Sequence, residues 1–312
     1  MKRILPLLAL FLAPLAFAAG EKIAVIPKGT THSFWKSVEA GARLAGTELG
    51  VEILWKGPLK EDDRAQQIGV VQQFVSSGVS AIVLAPLDDI ALRTPVKSAA
   101  EHNIPVVIFD SALKGEAGKD FISFVATNNH RGGELGGEEL ARILGGKGKV
   151  VLLRYAEGSA STLEREAGFL AVMKKYPGIT MIVENRYAGA TVSTAQDASM
   201  NLIDKVREAD GIFCSNEPTT LGMLQALRQN ELSGKKKFVG FDASDELVAG
   251  LRKGEIQDLV AQNPVKMGYE GVKAAILKIR GEKVEARIDS GAALVTKENV
   301  DSDEIQKLLG KK

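Results

Sequence analysis

Five polar residues lie at or near the ends of predicted strands in this sequence of 312 residues. Two are carboxylates, one is a guanidinium group and two are amides, so the set can both accept and donate hydrogen bonds. Neither a nucleophile nor a cluster of metal ligands accompanies them. The set suits a molecule with several hydroxyl groups, because each hydroxyl both donates and accepts. The five residues are Asp110, Arg165, Asn216, Asp242 and Gln262.

Aromatic residues stand close to the same strand ends. Phe34 and Trp35 begin the first predicted helix, and Phe241 precedes Asp242. Flat rings in such places can cover the apolar C–H faces of a sugar. Burial in the core is the alternative for each ring, but the position near a strand end favours the ligand-facing role for Phe34 and Trp35.

Each polar residue also has an ordinary structural interpretation. Asp110 and Asp242 could cap helices or form turns, and Asn216 could simply terminate a strand. Lys28 follows the first strand, where it could donate to a hydroxyl, an acid or a phosphate group, or lie in solvent at a turn. Arg165 has no carboxylate three or four residues away, so a helical ion pair does not explain it. The functional interpretation depends on all these residues occurring together.

The elements that position these residues follow an alternating pattern. Short apolar runs alternate with segments of helical period, which predicts an α/β fold with parallel sheets covered on both faces. The pattern occurs twice, which indicates two similar domains. The predicted strands are 23–27, 51–55, 81–85, 105–110, 149–153, 180–184, 211–214 and 237–241. The predicted helices are 34–49, 62–77, 92–102, 164–175, 192–207, 219–229 and 245–252. Because ligands of parallel sheets bind beyond the carboxyl ends of the strands, two facing domains would place the polar residues in one cleft.

Composition and the first residues indicate export. Forty basic and 39 acidic residues give a formal charge of +1, which does not favour a nucleic-acid or membrane partner. Lys2 and Arg3 precede the apolar stretch 4–17, which is the pattern of a signal peptide over residues 1–18, cleaved after Ala18. We therefore expect a soluble, exported protein. A single cysteine, Cys214, excludes an internal disulfide, and its place in an apolar strand predicts a buried side chain.

Other classes of function remain as alternatives. Asp110 and Asp242 could be the two carboxylates of a glycoside hydrolase, although nothing in the sequence positions a general acid. The stretch LGGKGKV at 144–150 lacks the Ser/Thr and glycine spacing of a phosphate-binding loop. A sugar-responsive repressor would need DNA-binding helices, which this exported sequence lacks. The three histidines are too scattered to bind a metal. We expect neither a cofactor nor a metal.

Six stretches together resemble the periplasmic sugar-binding proteins of the ribose-binding type. The similarity covers nearly all of the sequence after the signal peptide, and the order of the motifs is more specific than any single one. The stretches are IAVIPKGTTHSFWKSVEAGA (23–42), IPVVIFDS (104–111), GSASTLEREAGF (158–169), GIFCSNEPTTLGMLQAL (211–227), FVGFDAS (238–244) and LVAQNPVKMGYEGV (259–272).

The resemblance implies two Rossmann-like domains joined by a hinge of three crossovers. They would close over a monosaccharide or related polyol and deliver it, as a monomer, to an ABC permease in the inner membrane. The implied lobes are 19–127 with 263–290 and 128–262 with 291–312. The implied ligand-binding residues are Lys28, Phe34, Trp35, Asp110, Asn129 at the first crossover, Arg165, Asn216, Asp242 and Gln262.

Departures from the family pattern bear on the ligand. Lys28 stands where ribose binders have a small hydroxyl residue, and it resembles the lysine of binding proteins for the signal autoinducer-2. Ser111 stands where an arginine follows the aspartate. The aromatic residue expected on the second domain falls near Ala190, with Tyr187 as a substitute. A sensor that signals through a chemoreceptor therefore remains an alternative to sugar import.

Overall fold

The computed structural model describes residues 20–311. The predicted signal peptide, residues 1–18, lies outside the described residues. The first part of the chain contains β1 (Lys22–Ile26), α1 (Ser33–Leu49), β2 (Glu52–Trp55), α2 (Arg64–Ser77), β3 (Ala81–Leu84), α3 (Arg93–Glu101), β4 (Val106–Phe109) and β5 (Phe124–Ala126).

The second part contains α4 (Asn129–Ile143), β6 (Lys147–Arg154), α5 (Ala160–Met173), β7 (Gly178–Tyr187), α6 (Val192–Asn201), α7 (Ile203–Glu208), β8 (Gly211–Cys214), α8 (Glu217–Gln229), β9 (Lys237–Phe241), α9 (Asp245–Lys253) and β10 (Asp258–Gln262). The last part contains α10 (Pro264–Ile279), β11 (Arg287–Asp289), β12 (Ala292–Thr296) and α11 (Asp303–Leu308).

These elements form two six-stranded sheets, each the centre of one lobe. The sheet of the first lobe has the order β11-β5-β4-β3-β1-β2, and that of the second lobe has the order β12-β10-β9-β8-β6-β7. All pairs are parallel except β10 with β12. The prediction of an α/β fold with two parallel-dominated sheets is confirmed.

Both faces of each sheet are buried, which is why the strands are almost continuously apolar. Along β1, Ile23 and Val25 pack into one apolar core, whereas Ala24 and Ile26 pack into the core on the opposite face. The second sheet likewise lies between two cores. Cys214 is fully buried in one of them, as predicted, and burial raises the pKa of its thiol well above the ordinary value.

The chain passes between the lobes three times, between β5 and α4, between β10 and α10, and between β11 and β12. A hydrogen-bonded cluster joins these segments. The Thr127 hydroxyl donates to Oε1 of Gln262 at 2.9 Å and lies 3.2 Å from the hydroxyl of Ser290. A displacement of one crossing segment is therefore transmitted to the other two.

Two helical regions of the second lobe have unusual features. The predicted helix 192–207 is divided at Leu202, whose backbone (φ −100°, ψ 3°) leaves the helical region between α6 and α7. Helix α4 contains two Gly-Gly pairs and packs against α5. A Cβ atom at Gly133 would overlap the backbone carbonyl of Arg165, so glycine permits the close approach of the helix that carries this arginine.

A pair of carboxyl groups, Glu139 of α4 and Asp258 of β10, is buried in the second lobe. We refer to it as the acidic pair. Arg142 donates to Glu139 at 2.9 Å, which favours the ionised form of that residue. Burial and the neighbouring carboxylate of Glu139 raise the pKa of Asp258 to about 7. Asp258 therefore holds a proton that it shares with Glu139 over much of the acidic range.

No helix within residues 20–311 has the length and apolar character needed to cross a bilayer.

Candidate functional site

A cavity lies between the lobes at the carboxyl ends of their strands. Eight of the nine residues predicted to bind a ligand line it. They are Lys28, Phe34, Trp35, Asp110, Arg165, Asn216, Asp242 and Gln262. The structure thus brings these residues together, and their contact with a ligand remains a prediction. The other lining residues are His32, Glu61, Tyr155, Ser161, Thr162, Glu217 and Pro218.

Two aspartates occupy corresponding places in the two lobes. Asp110 follows β4 and Asp242 follows β9, and both have left-handed backbones, with φ of 59° and 70°. This conformation is unfavourable for most residues with a side chain, although Asp tolerates it better than most. The turn aims each carboxylate into the cavity at the end of its strand. The parallel geometry indicates that both lobes present a carboxylate in the same way.

Arg165 is buried in the second turn of α5 and is held by several neutral groups. Its Nε donates to Oδ1 of Asn129 at 2.8 Å, and one terminal nitrogen donates to the carbonyl of Ser215 at 3.0 Å. Its guanidinium carbon lies 4.0 Å from the ring centroid of Phe241, an energetically favourable cation–π distance. Burial lowers the pKa of Arg165, but the charges of Asp242 and Asp110 oppose that effect.

Asn129, the ninth predicted residue, does not line the cavity. Its amide nitrogen donates to the backbone carbonyl of Asp110 at 3.3 Å, while its oxygen accepts from Arg165. Asn129 therefore links Arg165 to the backbone of Asp110 without lining the cavity. Its position indicates that it orients Arg165 and Asp110, and its contact with a ligand remains a prediction.

Lys28 is almost fully buried and is surrounded by protein acceptors. Its Nζ lies 3.3 Å from Oδ2 of Asp110, and it donates to the hydroxyls of Ser161 at 2.9 Å and Ser159 at 3.3 Å. An ammonium group has three N–H donors, and these three contacts use them. Lys28 therefore compensates Asp110 and bridges the two lobes, which leaves little of its charge for an acid or phosphate on a ligand.

Glu61 is the centre of a second charged group, which the sequence did not predict. It lies between β2 and α2, away from any strand end. Its carboxylate accepts from Nδ1 of His32 and Nε1 of Trp35, both at 2.6 Å, and from the hydroxyl of Tyr155 at 2.8 Å. Burial alone would raise its pKa, but hydrogen bonding to His32, the charges of His32 and Lys28 and the Trp35 N–H lower the pKa of Glu61 to about 2.

The partners of Glu61 respond in the opposite direction. Burial acts to lower the pKa of His32, yet the hydrogen bond and charge of Glu61 raise it above the ordinary value. For Tyr155, burial and the Glu61 charge both raise the pKa well above its usual range. His32 thus tends to be protonated while Tyr155 remains a neutral donor.

Glu217 is the first residue of α8 and was also missed. Its carboxylate accepts from the backbone N–H groups of Ser33 at 3.1 Å and Phe34 at 2.9 Å, at the start of α1 in the other lobe. A helix N-terminus favours negative charge. Because Glu217 directly follows the predicted residue Asn216, the rule that polar residues at strand ends point to the cleft could have found it.

Asn216 and Gln262 are each oriented by hydrogen bonds to neighbouring protein groups. Oδ1 of Asn216 accepts from the backbone N–H of Thr219 at 3.2 Å and so caps α8, leaving its NH₂ group as a donor. Nε2 of Gln262 donates to Oδ1 of Asp242 at 2.7 Å. Since Oε1 of Gln262 accepts from Thr127, a continuous chain of bonds joins the crossing segments to Asp242.

The aromatic residues divide between wall and core. Trp35 packs edge-on against Phe34 and Phe109, with centroid distances of 5.0 and 6.0 Å. Tyr187, which the resemblance suggested for the second lobe, contacts Arg154 and does not line the cavity. Tyr155, which directly follows β6, is the aromatic residue that the second lobe contributes instead.

Several of these bonds connect the two lobes directly. They include Lys28 to Ser161, Tyr155 to Glu61, and the backbone N–H of Ser161 to the hydroxyl of Ser111 at 3.1 Å. The structure is therefore that of a closed cleft. Throughout residues 20–311, no group of three or more His, Cys, Asp and Glu side chains is arranged to hold a metal ion.

Comparison with known proteins places this two-lobed fold and its interlobe cavity in a family. A family profile described as "Periplasmic binding protein domain" matches residues 23–283. The chain belongs to this family of periplasmic binding proteins.

The most informative relatives are sugar-binding components of transporters. The chain is 27% identical to the ribose import binding protein of Escherichia coli over 283 residues, covering 90% of this chain and 92% of that protein. It is 37% identical, with a TM-score of 0.88, to a carbohydrate transporter solute-binding protein of Agrobacterium radiobacter solved with D-arabinose, covering 93% and 99% of the two chains. An ABC transporter solute-binding protein of Agrobacterium vitis solved with D-fucose is 35% identical, with a TM-score of 0.88 and coverage of 91% and 98%.

Proposed function

We propose that this protein binds a monosaccharide or related polyol in the interlobe cavity and delivers it unchanged to an ABC importer. The observation that carries the proposal is the cavity itself, in which charged and amide groups from both lobes face one small volume. Such groups bind hydroxyls at about 1.5–3 kcal/mol for each charged hydrogen bond. The sugars bound by the relatives from A. radiobacter and A. vitis support the same ligand class.

Closure of the lobes is the proposed mechanism. Residues 19–127 with 263–290 and residues 128–262 with 291–312 would move as two lobes about the three crossing segments. A ligand that touches both lobes stabilises only the closed state, because the open state lacks half of its contacts. Hinge closure of periplasmic binding proteins is a known example of such motion. The cluster at Thr127 couples this motion to the position of Asp242.

Export completes the proposal. Residues 1–18 would act as a cleaved signal peptide, and the mature protein would bind its sugar in the periplasm and release it to a permease in the inner membrane. The relatives named above are described as binding proteins, and this supports binding without chemical conversion.

A ligand screen tests the proposed function. Thermal shifts with pentoses, hexoses, amino sugars and sugar alcohols identify the best ligand, and calorimetry then measures its Kd. We expect Asp242→Ala to weaken binding at least about tenfold through loss of a charged hydrogen bond. Asp197→Ala, which removes an exposed carboxylate of α6, is the matched control. Failure of every neutral and amino sugar to bind would refute the proposed function.

A further inference from the structure

The charges that line the cavity are not balanced. Four carboxylates line it, together with at most three cationic groups, even when His32 is protonated. Two of the carboxylates have a basic partner close by, since Lys28 pairs with Asp110 and His32 pairs with Glu61. The two carboxylates that remain are Glu217 and Asp242.

Glu217 and Asp242 are adjacent, buried and held by neutral donors. The backbone N–H of Glu217 donates to Oδ2 of Asp242 at 2.7 Å, and the other donors are backbone N–H groups of α1 and the Gln262 amide. In the part of the chain that the structure describes, neither carboxylate forms an ion pair within 4.0 Å. The charge of Arg165 lowers the pKa of Asp242, but the hydrogen bonds of its guanidinium group go to Asn129 and Ser215.

Burial makes negative charge costly at this side of the cavity, although Glu217 lies at the N-terminus of α1, which favours it. Burial raises the pKa of Glu217 and of Asp242, and the charge of Asp242 adds to the effect on Glu217. An ionised carboxylate withdrawn from water requires a partner, and a cation is the most effective one. With all four carboxylates ionised, closure around a neutral sugar leaves at least one excess negative charge in the cavity.

We infer that the natural ligand is a polyol with a cationic amino group, such as an amino sugar, whose ammonium group lies between Glu217 and Asp242. This inference rests on the proposed function and narrows its ligand class. The hydroxyls of such a ligand would meet Asp110, Arg165 and Asn216. Sugar acids and sugar phosphates are disfavoured, because they add negative charge and Lys28 is already engaged.

A second cavity adjoins this side of the site. Glu217, Asp242, Phe34 and Gln262 line both cavities. The second cavity also contains Ser244, whose buried hydroxyl has no hydrogen-bond partner within residues 20–311. Free space therefore adjoins Glu217 and Asp242 on this side of the site.

Matched sugars test the inference by calorimetry at about pH 7, where a sugar amine is largely protonated. The probes are D-glucosamine, D-galactosamine and D-mannosamine, each compared with its parent hexose and its N-acetyl derivative. The N-acetyl derivative retains the nitrogen but removes the charge. We expect at least one amino sugar to bind about tenfold more tightly than both, which corresponds to about 1.4 kcal/mol.

Two variants assign the preference to the carboxylates. Glu217→Gln and Asp242→Asn retain similar shapes, and each should lower the preference for the amino sugar over its parent by about tenfold. Glu164→Gln, which neutralises an exposed residue of α5, should leave the preference unchanged.

The outcomes separate this inference from the proposed function. If neutral sugars bind and every amino sugar binds equally or more weakly, the inference is overturned while the proposed function stands. A preference that survives in both carboxylate variants also overturns it. If no neutral or amino sugar binds, both fail together.

Discussion

Replacement of Tyr155 by Phe removes a single oxygen atom from the contact between the lobes. The Tyr155 hydroxyl, in the second lobe, donates to the Glu61 carboxylate of the first lobe at 2.8 Å, and both residues are buried. A hydrogen bond to a charged group contributes about 1.5–3 kcal/mol. Because this bond exists only when the lobes are together, its loss destabilises the closed state and leaves the open state unaffected.

The size of the effect follows from what Glu61 retains. In Tyr155→Phe the carboxylate still accepts from His32 and Trp35, so it does not become an unpaired buried charge. The loss should therefore lie near the lower end of the range, about 1.5 kcal/mol, which weakens sugar binding by about tenfold when the free protein is mainly open. Calorimetry with the best sugar of the screen measures this change.

A control and a second ligand make the test specific. Tyr187→Phe removes a hydroxyl that lies 3.5 Å from Arg154 within one lobe, and it should leave affinity unchanged. If the Tyr155 hydroxyl acts through closure, the affinities of two different sugars should fall by the same factor. A Kd within about twofold of the wild-type value would refute the reasoning, and unequal factors would indicate direct contact with the sugar instead.

Three further variants test other parts of the structure. Asp258→Asn removes the carboxyl group whose pKa is raised to about 7 in the acidic pair. The free energy of unfolding of the wild type should therefore decline relative to that of the variant as pH rises from about 4 to 7. Urea unfolding measures both, and parallel curves of stability against pH would contradict the assignment. Thr127→Val should weaken sugar binding about threefold to tenfold in calorimetry, because it frees the Gln262 side chain that orients Asp242. Thr127→Ser retains the hydroxyl and should bind sugar with the wild-type affinity. Equal affinities in the two variants would show that the Thr127 hydroxyl does not act on the site. Gly133→Ala should lower the free energy of unfolding by about 1–3 kcal/mol, because the added methyl group overlaps α5. The control is Gly69→Ala, which has open space around it and should be neutral or slightly stabilising. Similar urea midpoints for the two variants would argue against close packing between α4 and α5.

The sequence predicted the fold class because local patterns determine it. Strands covered on both faces are continuously apolar, and this pattern is visible in the sequence before any contact is known. Helices α4 and α10 were not predicted. The pairs Gly132-Gly133 and Gly136-Gly137 lower the helix propensity of α4, yet Gly133 and Gly137 allow it to pack closely on α5, while Gly132 and Gly136 lie against Phe241 and Phe213 of the sheet. The compensating energy comes from tertiary packing, which the sequence pattern does not contain.

The candidate site was predicted as far as the strand-end rule applies. Asp110, Arg165 and Asp242 were found because they stand close to strand ends or in the helix that follows. Glu61 gave no such signal, since it lies in a loop and reaches the cavity only through the arrangement of α1 and α2. Asn129 was predicted to bind a ligand, whereas the structure places it behind Arg165.

A crystal structure of the protein with the best sugar of the screen tests the central claim most directly. We predict that the sugar lies between the lobes, with oxygen atoms within about 3.2 Å of the side chains of Asp110, Arg165 and Asp242. A sugar bound elsewhere, or one that leaves these three side chains without contact, would contradict the account.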